Sequence, residues 1–119
     1  MHAIPTLLLS DAALADIEDI LDYSGHAFGA TARKRYEALL QTALVDLSEN
    51  CSRAGVKPRS ELGQGLRAYH LSNSKKRGDT NNQVAQPRHV VFFRLTDSAV
   101  HIVRLLHQSM DFAQHIADV

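Results

Sequence analysis

The chain has a single cysteine, Cys51. A lone thiol excludes an intrachain disulfide and a cysteine-built metal cluster. The redox compartment is then unconstrained, and a reducing cytoplasm is the default expectation. No basic segment followed by a long apolar run opens the sequence, so no signal peptide is expected. Nothing approaches the ~18 consecutive apolar residues of a membrane span. The charges also lack a surplus: 13 bases face 13 acids, with a pI near 7.1. Chains that hold RNA electrostatically are normally strongly basic. There is no Gly-rich phosphate loop, since Gly63-Gln64-Gly65 precedes a candidate strand instead of following one. No histidine pair has the spacing of a helical zinc motif, so no metal or cofactor is expected.

What is present is one domain's worth of ordinary globular sequence, residues 1–119 with 45% apolar and 22% charged residues. The charge is unevenly placed. Residues 1–50 hold three bases against eight acids, while the remainder holds ten against five and five of the seven histidines. Such asymmetry suits a protein meeting a different partner with each half. Equally, it describes solvated helix faces that happen to be acidic.

The most informative stretch is Arg88 to Asp111. Two short β-branched runs, Val90–Leu95 and Val100–Leu106, flank the turn formers Thr96, Asp97 and Ser98. This predicts a β-hairpin. Its weak alternation places it centrally, with both faces covered. Ahead of it, the run Ile4–Leu9 contains Pro5 and reads as an edge strand. Ser10 is placed to cap a helix carrying Ala13, Ile17, Ile20, Leu21 and Ser24 on one face. Gly25 and Gly29 break that pattern. A second helix, from about Thr31 to Ser48, completes an αα-hairpin. Asn50 to Gln64 reads as irregular, Leu66 to Leu71 as a strand, and Ser72 to Pro87 as a long polar loop bearing Lys75-Lys76-Arg77. Ser109 is expected to cap a last short helix through Phe112, Ala113 and Ile116. The predicted class is α+β, in the order β-α-α-β-β-β with a short C-terminal helix. The helical hairpin packs on a small antiparallel sheet.

Three arginines, Arg67, Arg94 and Arg104, fall in the predicted strands. On one face they would form a positive patch for phosphate or carboxylate, whose oxygens match the guanidinium fork. Alternatively, they pair with acids of the helical hairpin.

Gly65-Leu66-Arg67, Val91-Phe92-Phe93-Arg94 and Arg104-Leu105-Leu106-His107 with Met110-Asp111 and His115 together resemble the C-terminal half of ParE-type toxins. These belong to the RelE/ParE superfamily of bacterial toxin–antitoxin modules. Leu9-Ser10, Ala13, Asp16-Ile17, Ile20, Tyr23, Ala32 and Tyr36 resemble the N-terminal half. The resemblance implies a cytoplasmic toxin neutralised by a ParD-like antitoxin whose C-terminal segment wraps it. It also implies DNA gyrase as target, hetero-oligomers with the antitoxin, and no sequence-specific DNA binding by the toxin alone. The chain departs from the pattern in its long loop at 72–87. Candidate target- or antitoxin-binding residues are Arg67, Arg94, Arg104, His107, Met110 and Asp111. Arg104 and Asp111 alternatively serve as internal salt-bridge partners. A RelE-like mRNA endonuclease would instead use His107 as general acid or base, with Arg94 and Arg104 on the phosphorane. Gyrase inhibition needs binding alone, which neutral charge permits. A member that has lost its toxicity and merely titrates antitoxin is a third reading.

Overall fold

The computed structural model describes residues 6–75, 84 and 86–116. Ile4, Pro5 and most of the basic loop cluster, Lys76 and Arg77, lie outside them. Strand β1 (Thr6–Leu9) leads into helix α1 (Asp11–Phe28) and helix α2 (Ala30–Glu49). Strands β2 (Lys57–Pro58), β3 (Arg67–His70), β4 (His89–Leu95) and β5 (Ala99–His107) follow, then helix α3 (Phe112–Ile116). The sheet order is β1-β5-β4-β3-β2.

The expected antiparallel hairpin, β4 and β5, forms the middle of the sheet, closed by the Thr96 N–H donating to the Ala99 carbonyl at 3.0 Å. The sheet as a whole is mixed. β1 takes the expected edge position but runs parallel to β5, with Leu7 opposite Val100 and Leu9 opposite Ile102. The αα-hairpin after β1 supplies the crossover that parallel pairing needs. β2 is a two-residue strand inside the stretch expected to be irregular, and Pro58 sits at the outer edge of the sheet, where a missing N–H costs nothing.

Ser10 caps α1 as expected. Its Oγ accepts from the Ala13 N–H at 3.0 Å and donates to the Val103 carbonyl at 2.7 Å. Gly25, expected to end the helix, lies within it. One interior glycine costs a helix only ~1 kcal/mol, and here its bare surface receives α2. A Cβ on Gly25 would stand 3.4 Å from Cδ of Arg33, whose Nη1 reaches Asp22 at 2.9 Å. The bend is made by Gly29 alone, at φ +95°, with its N–H on the Gly25 carbonyl at 3.0 Å.

Side chains alternate across the sheet. Toward the helices, Tyr69, Val91, Phe93, Val100, Ile102 and Leu105 pack on Ala13, Ile20, Leu21, Leu39, Leu40, Ala43 and Leu47. On the outer face, Leu66, Ala68, Val90, Phe92, Val103 and Leu106 pack beneath Leu62, Phe112 and Ile116. Val103 is the extra residue of a bulge: Phe93 pairs with Ile102, but Phe92 pairs with Arg104.

β3 ends at His70, one residue sooner than expected, because Leu71–Ser74 tightens into a 3₁₀ turn. Its last residue, Ser74, is drawn into the core. The Ser74 hydroxyl donates to Asp46 Oδ2 at 2.7 Å and meets the Tyr69 hydroxyl at 2.7 Å, and Arg53 pairs with the same Asp46 oxygen at 2.7 Å. Asp46 is a charge inside a helix packing face, tolerable because cation and hydroxyl surround it. The cap of α3 also differs from expectation. Asp111 Oδ1 accepts from the Gln114 N–H at 3.4 Å, while Ser109 is turned back onto His107, with its N–H on Nδ1 at 3.1 Å.

Candidate partner-binding site

The three strand arginines do not form one patch. Arg67 lies on the helical side of β3, where its Nη1 donates to the Cys51 carbonyl at 3.3 Å and the Ser52 hydroxyl at 3.2 Å. It tethers the segment that follows α2. Arg104 is consumed within the molecule. Beyond the end of β1, its Nε and Nη2 grip the two Asp16 carboxylate oxygens at 2.7 and 2.8 Å. Nη1 reaches the His115 carbonyl at 3.1 Å, and Asp16 Oδ2 also accepts from the Leu105 N–H at 2.9 Å. Both side chains are largely shielded, 17% and 12% exposed. This fork-to-fork pair joins α1, β5 and α3. The acid that Arg104 finds is thus on the helical hairpin, and Asp111 acts as a helix cap.

Arg94 stands elsewhere. It is half-buried on the outer face at the turn end of β4, opposite His101. Its Nε donates to the Gln64 carbonyl at 3.1 Å, and no acid pairs with it among the described residues.

At the other end of the hairpin, His89 and His107 face each other across β4 and β5 with ring centroids 5.2 Å apart, edge to face. His89 Nδ1 lies 2.5 Å from the Tyr36 hydroxyl of α2. The Arg88 N–H donates to that hydroxyl at 3.3 Å, which directs the phenol proton at His89. Burial, reinforced by His107 and then His70, holds the His89 pKa down at about 4. Burial pushes the Tyr36 phenol up. His107 Nδ1 accepts from the Ser109 N–H, so neutral His107 carries its proton on Nε2. On the outer face His70 uses the same device, its Nδ1 accepting from the Ser72 N–H at 3.1 Å while Nε2 meets Gln108 Oε1 at 2.8 Å. Met110, 43% exposed, and Asp111, also exposed, follow on the surface.

Sequence reasoning did not single out Tyr36 or His89 as site residues. Tyr36 fits the apolar stripe of α2 and His89 merely precedes a strand, so neither carries a local signature of their contact. His107 and Arg94 were considered together for one phosphate. The register sets them six positions apart along the hairpin, on the order of 20 Å. Among the described residues no group of His, Cys, Asp and Glu could hold a metal ion, and no helix is long and apolar enough to cross a membrane.

The chain is 31% identical over 108 residues to Toxin ParE1 of Caulobacter vibrioides, an alignment covering 91% of this chain and 94% of that protein. Its fold is similar to the chromosomal ParDE toxin–antitoxin system of P. aeruginosa, with TM-score 0.63, 14% identity, and coverage of 87% of this chain and 96% of that one. It is also similar to the E. coli DinJ–YafQ toxin–antitoxin complex, with TM-score 0.56, 15% identity, and coverage of 90% and 96%. Residues 7–112 match the model of the ParE toxin of type II toxin–antitoxin systems, parDE. The chain therefore belongs to the ParE family of type II toxins.

Proposed function

We propose that this toxin arrests growth in the cytoplasm by binding DNA gyrase, and that a ParD-like antitoxin holds it inactive in a hetero-oligomer. One observation supports the reading above others: the arginines and the histidine considered together for one phosphate are held apart. Arg104 is locked by Asp16, and Arg94 stands at the opposite end of the hairpin from His107. Neither Arg94 nor Arg104 therefore converges with His107 where one phosphate could sit. The remaining usable groups are Arg94, His107, Met110 and Asp111, spread over surface that a protein partner can cover. Arg67 and Arg104 support that surface from within.

A ribosome-dependent mRNA endonuclease is the second reading, and the Tyr36–His89–His107 chain favours it. It would replace Arg94 and Arg104 with histidine chemistry at the other end of the hairpin. A supercoiling and cleavage assay with purified toxin and gyrase, run beside translation-coupled mRNA cleavage, separates the two. Trapped cut DNA with intact mRNA supports the first reading. Cut mRNA with unaffected gyrase overturns it and shifts attention to His89 and His107.

A further inference from the structure

On the outer face of the sheet, at the turn end of the β4–β5 hairpin, Leu8, Arg94, Thr96, His101 and Val103 line a depression of ≈ 390 Å³. The register explains the grouping. Leu8 lies opposite His101, and His101 opposite Arg94, so three adjacent strands place a leucine, an imidazole and a guanidinium in one row. Among the described residues no acid lines the depression. The guanidinium is held in place: Nε is anchored on the Gln64 carbonyl, and Gly63 leaves room for the fork. A Cβ at Gly63 would stand 2.6 Å from Nη2. Among the described residues nothing bonds either Nη atom of Arg94, whereas Arg33, Arg53, Arg59 and Arg104 each grip a carboxylate. His101 Nε2 lies 3.4 Å from the Thr96 hydroxyl. Beside these polar groups, Leu8 is 44% exposed, a large aliphatic left open next to a fixed cation.

We propose that this depression docks an acidic peptide segment of a protein partner. One carboxylate lies in the Arg94 fork, with His101 and Thr96 as flanking donors, and a neighbouring aliphatic side chain rests on Leu8 and Val103. The charge decides the ligand. The row holds one permanent positive charge, the Arg94 guanidinium, which matches one carboxylate better than a phosphate dianion. The aliphatic wall gives a peptide side chain something to bury against. Nucleic acid would need several cations in line. The inference stands apart from the gyrase reading, because it concerns the chemistry of a bound segment and not the identity of its owner.

The test is an amide and arginine Nε NMR titration of the full ¹⁵N-labelled toxin with acetyl-Leu-Asp-Leu-amide at low salt. The expected result is a saturable shift of Arg94 Nε–H and of the Leu8 and His101 amides. The Leu-Asn-Leu analogue should bind at least about tenfold more weakly, and Arg94→Gln should abolish the response with spectral dispersion kept. Should Arg94→Gln fail to fold, Leu8→Glu supplies the second variant. A carboxylate at this exposed position should weaken the peptide at least about tenfold by repulsion. Equal binding of the asparagine analogue, absence of shifts, or an unchanged response in either variant would overturn the proposal. So would inorganic phosphate moving the same resonances at lower concentration than the peptide, which would make the depression a phosphate site.

Discussion

Two places on the β4–β5 hairpin, its middle and its turn end, treat an arginine in opposite ways. On β5 beyond the end of β1, Arg104 is enclosed by Asp16, the Leu105 amide and the end of α3, and its donors serve the fold. At the turn, Arg94 is pinned by one backbone carbonyl beside an open depression. The residue type is the same and the strands are neighbours. What differs is the element facing each one: α1 brings a carboxylate to the first, while among the described residues the loop carbonyl of Gln64 meets the second. An arginine in a small sheet is thus structural or available according to what its neighbours supply.

That contrast can be broken most forcefully at Asp16. Asp16→Ala leaves a shielded guanidinium and the Leu105 N–H without their acceptor, and should cost about 3–5 kcal/mol. The measurement is a lowered urea midpoint at constant m-value. Replacing both partners, Asp16→Leu with Arg104→Met, should recover at least half of the loss, since an apolar pair leaves no charge stranded. The second effect is one of pH. His89 has a folded pKa of about 4, below the ~6.5 of an unfolded histidine. The unfolded chain therefore takes up the proton first. This contribution to stability is whole above pH ~6.5 and is lost progressively as pH falls toward 4, by about 2 kcal/mol once screening of a partly exposed ring is allowed for. His89→Phe should flatten that part of the stability–pH curve. Third, Ser10→Ala removes a helix cap and a bond to the β5 edge, for about 1 kcal/mol. Smallest is Arg94→Gln, expected to change stability by less than about 0.5 kcal/mol in thermal melts while erasing acidic-peptide binding. A loss as large as that of Asp16→Ala would mean that Arg94, too, is part of the frame.

The helical hairpin and the central β-hairpin were legible in the sequence because apolar periodicity is a local property, and so was Ser10, a capping residue followed by an acid. Strand direction is not local. Nothing in Thr6–Leu9 tells that it will run parallel to a strand more than ninety residues away. Gly25 was misread because the cost of a helical glycine depends on what fills the space beside it, here Arg33 of the next helix. Ser109 and Asp111 are both capping residues two positions apart, and only the captive Nδ1 of His107 decides between them. The candidate site suffered most. The family resemblance pointed to Arg94, Arg104 and His107, but the Asp16 partner of Arg104 lies 88 residues away, and the row from Leu8 to Arg94 exists only once three strands are in register.

The bond between Ser10 and the Val103 carbonyl spans 93 residues, and its consequence concerns time. β5 lies between β1 and β4 in the sheet, yet it is the last of the five described strands to leave the ribosome. Until it emerges, the first strand made has no neighbour and β4 is bare on one side, so the nascent chain carries two unsatisfied edges. Folding of the sheet is deferred until β5 has emerged, and pairing over so long a span is slow. A ribosome that stops short of Val103 releases no toxin fold, and any partner that recognises the folded surface must wait for β5.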